Sequence, residues 1–464
     1  MVDNYEEALD YLYSFISPMP WGAFGWERMK YLLECLGNPQ NSYKIIHIAG
    51  DAGKGSTAYI LNSLLQNHNY SVGLHVSPHL LDLRERFQIN GKLVSHKQVM
   101  DAVAYMIPAV TSCTRSFFWT PTYYEVVMAL SLLLFAKNEV DVIVLEVGCG
   151  WLFDGSNVSI AKDKICVITK QWYDHEQILW STLEQIAYND VGIIQEENIV
   201  ISLNHEQKIC REIVEFVVEQ KSAELYYVSL GVEYSNVRTC IEGTFFEYMD
   251  LKWEKTPVCV SLLGEYQAEN CALALKALEF FLVREKKYLH IPTIKKCLCS
   301  LSWFWRFERF DIDGKIVILD GAHNEQKVSS FLSSLSKIYF DVSFSFLIAL
   351  KEWRNPSLLD EVLLLSSSIY SSLITTDFDI TQDFCMRSVW KIVYQNYFEN
   401  NDFLFWKHIS DPKKALDELL HQKNNNIIVV TGSLYLLSCL YPYVLHKQKN
   451  NGWEHYNYSK NEEK

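Results

Sequence analysis

A chain of 464 residues is longer than a single hydrophobic core usually grows, about 250–300 residues, so two domains or more are expected. Hydrophobic residues at 49% and charged residues at 21% describe a globular protein with a large core and exclude a disordered chain. The formal net charge of −14 excludes nucleic acid as a partner, because phosphate binding needs a basic footprint.

The stretch Met1-Val2-Asp3-Asn4-Tyr5-Glu6-Glu7 is acidic and lacks the basic-then-apolar order of a signal peptide. No apolar run reaches the roughly 18 residues of a membrane span, so a cytoplasmic protein with no membrane partner is expected. The next informative segment is Lys44-Ile45-Ile46-His47-Ile48, an apolar strand that runs into Ala49-Gly50-Asp51-Ala52-Gly53-Lys54-Gly55-Ser56-Thr57 and then a helix beginning around Ala58-Tyr59-Ile60-Leu61. A glycine-rich loop there aims backbone N–H groups and a helix N-terminus at one anion. Phosphate chemistry needs glycines for close backbone approach, a lysine as a mobile point charge and a hydroxyl for Mg²⁺. Gly50, Gly53, Lys54, Gly55 and Ser56 or Thr57 supply all three; the competing reading is an ordinary strand-to-helix turn that contains a lysine.

Tyr123 to Lys137 carries Val126, Ala129, Leu130, Leu133 and Leu134 at helical spacing, and leads into a strand over Val140 to Val147. A further strand, Ile165 to Thr169, ends just before Trp172-Tyr173-Asp174-His175. Alternating strands and helices predict an α/β fold with a mainly parallel sheet, whose ligand crevice lies outside the carboxyl ends of the strands. A new unit begins near Phe307, with strands at Lys315–Leu319, Phe344–Leu350 and Ile427–Thr431, and the tail from about Lys447 lacks apolar period. The 12 cysteines are scattered, many inside apolar runs as at Cys166, Cys259, Cys271 and Cys439, and the close pair Cys297 and Cys299 lacks a second pair at zinc spacing. Reduced core thiols are expected. There is no internal repeat.

The loop resembles the G-T-N-G-K-G-S segment of the folylpolyglutamate synthase and dihydrofolate synthase branch of the Mur ligase family. Gly73-Leu74-His75-Val76-Ser77-Pro78-His79-Leu80 and Glu85-Arg86-Phe87-Gln88-Ile89-Asn90-Gly91 are similar to its G-L-Y-T-S-P-H-L and E-R-I-x-I-N-G stretches. Pro121-Thr122-Tyr123-Tyr124-Glu125 resembles its T-x-F-E segment, and Val140 to Gly148 its strand ending in a metal-binding glutamate. Asp174-His175, Gly264 with Gln267 and Asn270, Arg306-Phe307-Glu308, Asp320-Gly321-Ala322-His323-Asn324 and Thr431-Gly432-Ser433-Leu434-Tyr435 follow in the family order.

The resemblance implies a P-loop ATP- and folate-binding domain over 1–305, a smaller α/β domain over 306–446, a flexible tail over 447–464, and a join near Trp303 to Arg306 able to act as a hinge. It implies an ATP-dependent ligase that adds L-glutamate to tetrahydrofolate through an acyl phosphate, with dihydropteroate as a further acceptor. Its partners are small molecules, namely reduced folate, glutamate and ATP, and a monomer is expected. Lys54, Glu146 and His175 are the implied catalytic groups. Ser56, Ser77 and Glu146 suit a first Mg²⁺ and His175 a second cation, with K⁺ a further candidate. ATP contacts fall on Gly50, Gly53, Lys54, Gly55, Ser56, Thr57, Asn270, Arg306 and Asp320, with Arg306 a phosphate clamp. The folate pocket falls on Thr122, Tyr123, Tyr124, Glu125, Phe153, Asp154 and Gly155. Read from the residues alone, Glu146 could be a strand-end carboxylate, His175 a capping histidine, and Tyr123 and Tyr124 core residues at a helix start.

Four segments depart from the family. Asp51-Ala52 replaces Thr-Asn and puts a carboxylate beside the phosphates. Gly150-Trp151-Leu152-Phe153-Asp154-Gly155-Ser156-Asn157 lacks the arginine of G-G-R-L-D-A-T-N, Tyr266 replaces a histidine, and Asp190 stands where a carbamylated lysine ligates the second metal. Asp190 keeps the charge on a shorter side chain and would reach Mg²⁺ through water. The alternative to a ligase of this kind is a divergent paralogue that binds nucleotide or folate without turnover, or that ligates another carboxylate.

Overall fold

The computed structural model describes residues 2–16, 25–148, 154–158, 161–172, 182–304, 306–352, 354, 356–365, 372–380, 386–400, 406–423 and 427–449. Two compact units divide the chain: Met1–Arg238, Thr244–Ser261 and Tyr266–Leu301 form the first, and Thr239–Gly243, Leu262–Glu265 and Ser302–Lys464 the second.

The first unit is built on eight strands: β1 (Lys44–Ala49), β2 (Val72–His75), β3 (Phe87–Ile89), β4 (Lys92–Leu93), β5 (Val142–Glu146), β6 (Ile165–Ile168), β7 (Ile199–Leu203) and β8 (Glu224–Val228). Their order is β4-β3-β2-β5-β1-β6-β7-β8. The pairs from β2 through β8 are parallel, and β3 and β4 add an antiparallel edge. The central strands are buried along their length, as near-continuous Val and Ile runs require when helices cover both faces. The strand read over Val140 to Val147 is regular only from Val142 to Glu146.

The helix Tyr123–Lys137 has the bounds expected, but it is not a one-sided stripe: Val127, Met128, Ser131, Leu132 and Phe135 are buried too. Helices Trp26–Cys35 and His96–Arg115 pack over it, so its outer face meets protein instead of water. Strands Tyr234–Cys240, Gly243–Met249 and Lys255–Val260 form a small separate sheet that the sequence reading did not foresee.

The second unit carries a six-stranded sheet in the order Glu308–Ile312, Lys315–Leu319, Ile427–Thr431, Phe344–Ile348, Leu373–Thr375, Trp406–His408. The first pair is antiparallel and the others parallel, over a core that includes Phe331, Phe346, Tyr394 and Phe398. The final helix, Leu434–Lys449, runs beyond the expected start of the tail, because Lys447 is held there by Asp417 at 2.9 Å. The described cysteines are all free. Among the described residues no helix is long and apolar enough to cross a membrane.

Candidate functional site

The carboxyl ends of β2, β5, β1 and β6 stand side by side, and the polar motifs follow them. Ile48 lies opposite Glu146, so Glu146 leaves the sheet beside the loop that opens at Gly50. Ser77 follows β2, and its backbone N–H donates to Glu146 Oε2 at 3.0 Å. Glu146 is 5% exposed.

Gly50 (φ +125) crosses β6 so closely that a Cβ would lie 2.3 Å from Thr169 Oγ1, a place only glycine can take. The N–H groups of Asp51 and Ala52 donate to Lys170 O at 2.9 and 3.2 Å, fastening the back of the loop to the chain leaving β6. Gly53 (φ +88) begins the helix Lys54–Asn67 with no side-chain cap. The first helical N–H groups therefore face the loop hollow, where the helix dipole favours an anion. A Cβ on Gly53 would meet Asn270 Oδ1 at 2.1 Å, so Asn270 lies directly against the loop. Its Nδ2 donates to Gln267 Oε1 at 3.0 Å, one helical turn away as their spacing predicts. Lys54 Nζ donates to Gly50 O, holding the ammonium over the hollow. Ser56 and Thr57 are buried, and Thr57 Oγ1 has no hydrogen-bond partner among the described residues.

The two carboxylates peculiar to this chain converge on the same loop. Asp51 Oδ2 accepts the Trp172 N–H at 2.6 Å. Asp190, 2% exposed, accepts from Gly50 N–H and from Gln171 Nε2 at 3.4 Å. Burial first, and then the Asp51 charge, push the Asp190 carboxyl well above the usual carboxylate range, while Lys54 and the hydrogen bonds pull it back. Asp190 is therefore an interior group at the phosphate loop.

The folate-pocket candidates divide. Thr122 caps the helix Tyr123–Lys137, and Glu125 closes a capping box with it. Glu125 Oε2 accepts from Thr122 N at 2.7 Å and Thr122 Oγ1 at 3.0 Å, and Arg28 grips both Glu125 oxygens at 2.8 and 3.0 Å. In this structure the polar atoms of Thr122 and Glu125 hold a helix start. Tyr123 is buried, with Tyr13 at 5.9 Å between ring centroids and the Arg86 guanidinium 6.0 Å from its ring. Tyr124 reaches Asp154, and a Cβ on Gly155 would lie 3.6 Å from the Tyr124 ring. Phe153 and His175 lie outside the described residues.

In the second unit, Asp320 is buried and accepts from Phe307 N at 2.9 Å and Ala322 N at 2.8 Å. Burial raises its carboxyl, against the pull of Arg306 and those two amides. A Cβ on Gly321 would lie 2.7 Å from Arg306 Nη1, so the guanidinium rests across that glycine. Asp320 thereby anchors the turn that carries Arg306.

Sequence reasoning missed Arg28, which lies 97 positions from Glu125 in no motif, and the Lys170-Gln171-Trp172 stretch that fastens the loop. For the latter, the acidic residue inside the glycine loop was the available signal, since a carboxylate there needs a donor.

Residues 48–278 match the family model of the Mur ligase middle domain. The chain is 28% identical over 417 residues to a dihydrofolate synthase/folylpolyglutamate synthase of Bacillus subtilis, covering 89% of this chain and 93% of that one. The crystal structure of a folylpolyglutamate synthase from Thermotoga maritima superposes with a TM-score of 0.78 at 28% identity, covering 97% and 98% of the two chains. A folylpolyglutamate synthase complex with AMPPCP and folate superposes at TM-score 0.80 and 25% identity, covering 95% of this chain and 100% of that one.

Proposed function

The chain belongs to the folylpolyglutamate synthase and dihydrofolate synthase family of Mur ligases, and from that premise we propose that it joins L-glutamate to a reduced folate at the expense of ATP. The observation that carries this reading is the uncapped helix start at Gly53, with Lys54 above it and Glu146 and Ser77 at the neighbouring strand ends.

An oxygen of the folate carboxylate attacks the γ-phosphorus of ATP, giving an acyl phosphate and ADP. The amine of glutamate then attacks the acyl carbon, phosphate leaves with the bonding pair, and the nitrogen loses a proton. Both steps bring anionic oxygens together, so positioning and charge neutralisation dominate. The backbone N–H groups after Gly53 hold the phosphates, Lys54 meets the β- and γ-oxygens, and Asn270 borders the loop on the nucleoside side. Arg306 and Asp320 are the nucleotide partners proposed on the second unit. The donor set fits Mg²⁺: hydroxyl and carboxylate oxygens of Ser56, Ser77 and Glu146 are hard ligands, and the buried Thr57 hydroxyl, which has no hydrogen-bond partner among the described residues, is a further oxygen for a hard cation. When bound, Mg²⁺ supplies a fixed positive charge to the phosphate oxygens. A second ion at His175 and use of K⁺ belong to the same proposal, as does dihydropteroate as an alternative acceptor.

The Asp51 and Asp190 carboxylates beside Lys54 favour a second reading, in which nucleotide binds without turnover. ADP release with folate and glutamate together, against either alone, separates the two. Release only with both, together with a folate product heavier by one glutamyl residue, is the expected result; none under any combination leaves a binding protein. Glu146→Gln and His175→Ala should each raise the Mg²⁺ needed for half-maximal activity about tenfold or more. Unshifted Mg²⁺ titrations in both variants would refute the metal assignment.

A further inference from the structure

A chain of hydrogen bonds links β1 to the exit of β5 through the turn Asp154–Asn157, and it depends on one phenol. His47 Nε2, on β1, pairs with Ser156 Oγ at 2.9 Å. The Ser156 N–H donates to Asp154 Oδ1 at 2.8 Å, and the Tyr124 hydroxyl donates to the same oxygen at 2.9 Å. That hydroxyl in turn accepts the Gly148 N–H at 3.0 Å, two residues past Glu146. The contact is close-fitting, because a Cβ on Gly148 would lie 2.4 Å from the Tyr124 ring. Asp154, Ser156 and His47 are all buried, where polar groups are expensive to leave unpaired.

We propose that the Tyr124 hydroxyl is a positioning group for the folate acceptor, tying the turn Asp154–Asn157 to the end of the strand that carries Glu146. The phenol satisfies a backbone donor and a carboxylate acceptor at once, so the turn and the strand end move as one body. The ring alone fills the space over Gly148, but it cannot hold the register of Asp154. This inference rests on the ligase reading, which makes Asp154 and Gly155 part of the acceptor pocket.

Tyr124→Phe keeps the ring and removes the two bonds. Amide hydrogen exchange at Gly148 and Ser156 should quicken about five- to tenfold, the scale of one net hydrogen bond, and the KM for reduced folate should rise about fivefold while kcat and the KM for ATP stay within twofold. Asp154→Asn, which retains an acceptor oxygen, should fall between Tyr124→Phe and the parent. Unchanged exchange at both amides would overturn the tie. Faster exchange with an unchanged folate KM, or an equal loss in kcat, would overturn the positioning role. A parent chain that releases no ADP with folate and glutamate would instead defeat the ligase reading; equilibrium dialysis of folate then replaces KM, and the exchange rates still judge the tie.

Discussion

Lys54→Ala should lower ADP formation by about 10²–10³-fold, the usual effect of removing a preorganised charge that acts on a transition state, while the folded chain persists. The expectation follows from the loop. The helix Lys54–Asn67 starts without a side-chain cap, Asn270 lies against the loop and donates to Gln267, and Lys54 brings a cation to the hollow. Its ammonium donates to Gly50 O, a partner that a triphosphate outcompetes because charge-assisted bonds are the stronger ones. Little packing is lost, since the fold around the loop is set by Gly50, Gly53 and the Lys170 carbonyl. Circular dichroism and the melting temperature should stay near those of the parent. Activity within a few-fold of the parent would sink the phosphate-loop assignment, and a collapse in melting temperature would show that Lys54 is a structural residue.

Much of this arrangement was legible because it follows chain-local patterns. The run Lys44 to Thr57 announces a strand, a glycine loop and a helix in one reading, and the Val and Ile runs at Ile165 and Ile427 mark strands buried on both faces. The spacing of Gln267 and Asn270 gave their mutual contact. What stayed hidden depends on partners distant in sequence. The grip of Arg28 on Glu125 comes from another helix and leaves no trace in the motif. Asp51 reads as a charge facing phosphate until the Trp172 N–H is found on it. The small sheet of Tyr234–Cys240, Gly243–Met249 and Lys255–Val260 also escaped, because strands that mix polar with apolar residues carry a weak sequence signal.

Asp190→Asn is expected to pull stability and activity in opposite directions. The Asp190 carboxyl is raised chiefly by burial and then by Asp51, so the folded state binds its proton more tightly than the unfolded chain does. A group of this kind contributes stability that is fully present below the ordinary carboxylate range, near pH 4, and lost as pH rises through the raised folded value. Ionising the side chain as pH rises through that value is therefore a burden on the fold. An asparagine there keeps an oxygen for the Gly50 N–H and removes the repulsion from Asp51, so the melting temperature above the raised folded value should rise by about 2–4 °C for each kcal/mol relieved, and its fall as pH climbs above the ordinary carboxylate range should flatten. A burdensome charge retained at a phosphate loop points to function. If it serves a second cation through water, the variant should need about 10–100-fold more Mg²⁺, and the parent should be indifferent to added bicarbonate, because no lysine at this position awaits carbamylation. Asp190→Lys with bicarbonate tests the same point from the other side, by offering the longer charged ligand in its place. A gain in stability with an unshifted Mg²⁺ titration would reduce Asp190 to a hydrogen-bond acceptor for the loop. A loss of stability above the raised folded value would contradict the electrostatic account itself, since the Asp51 charge would then be balanced by Lys54 and the amides instead of opposed to Asp190.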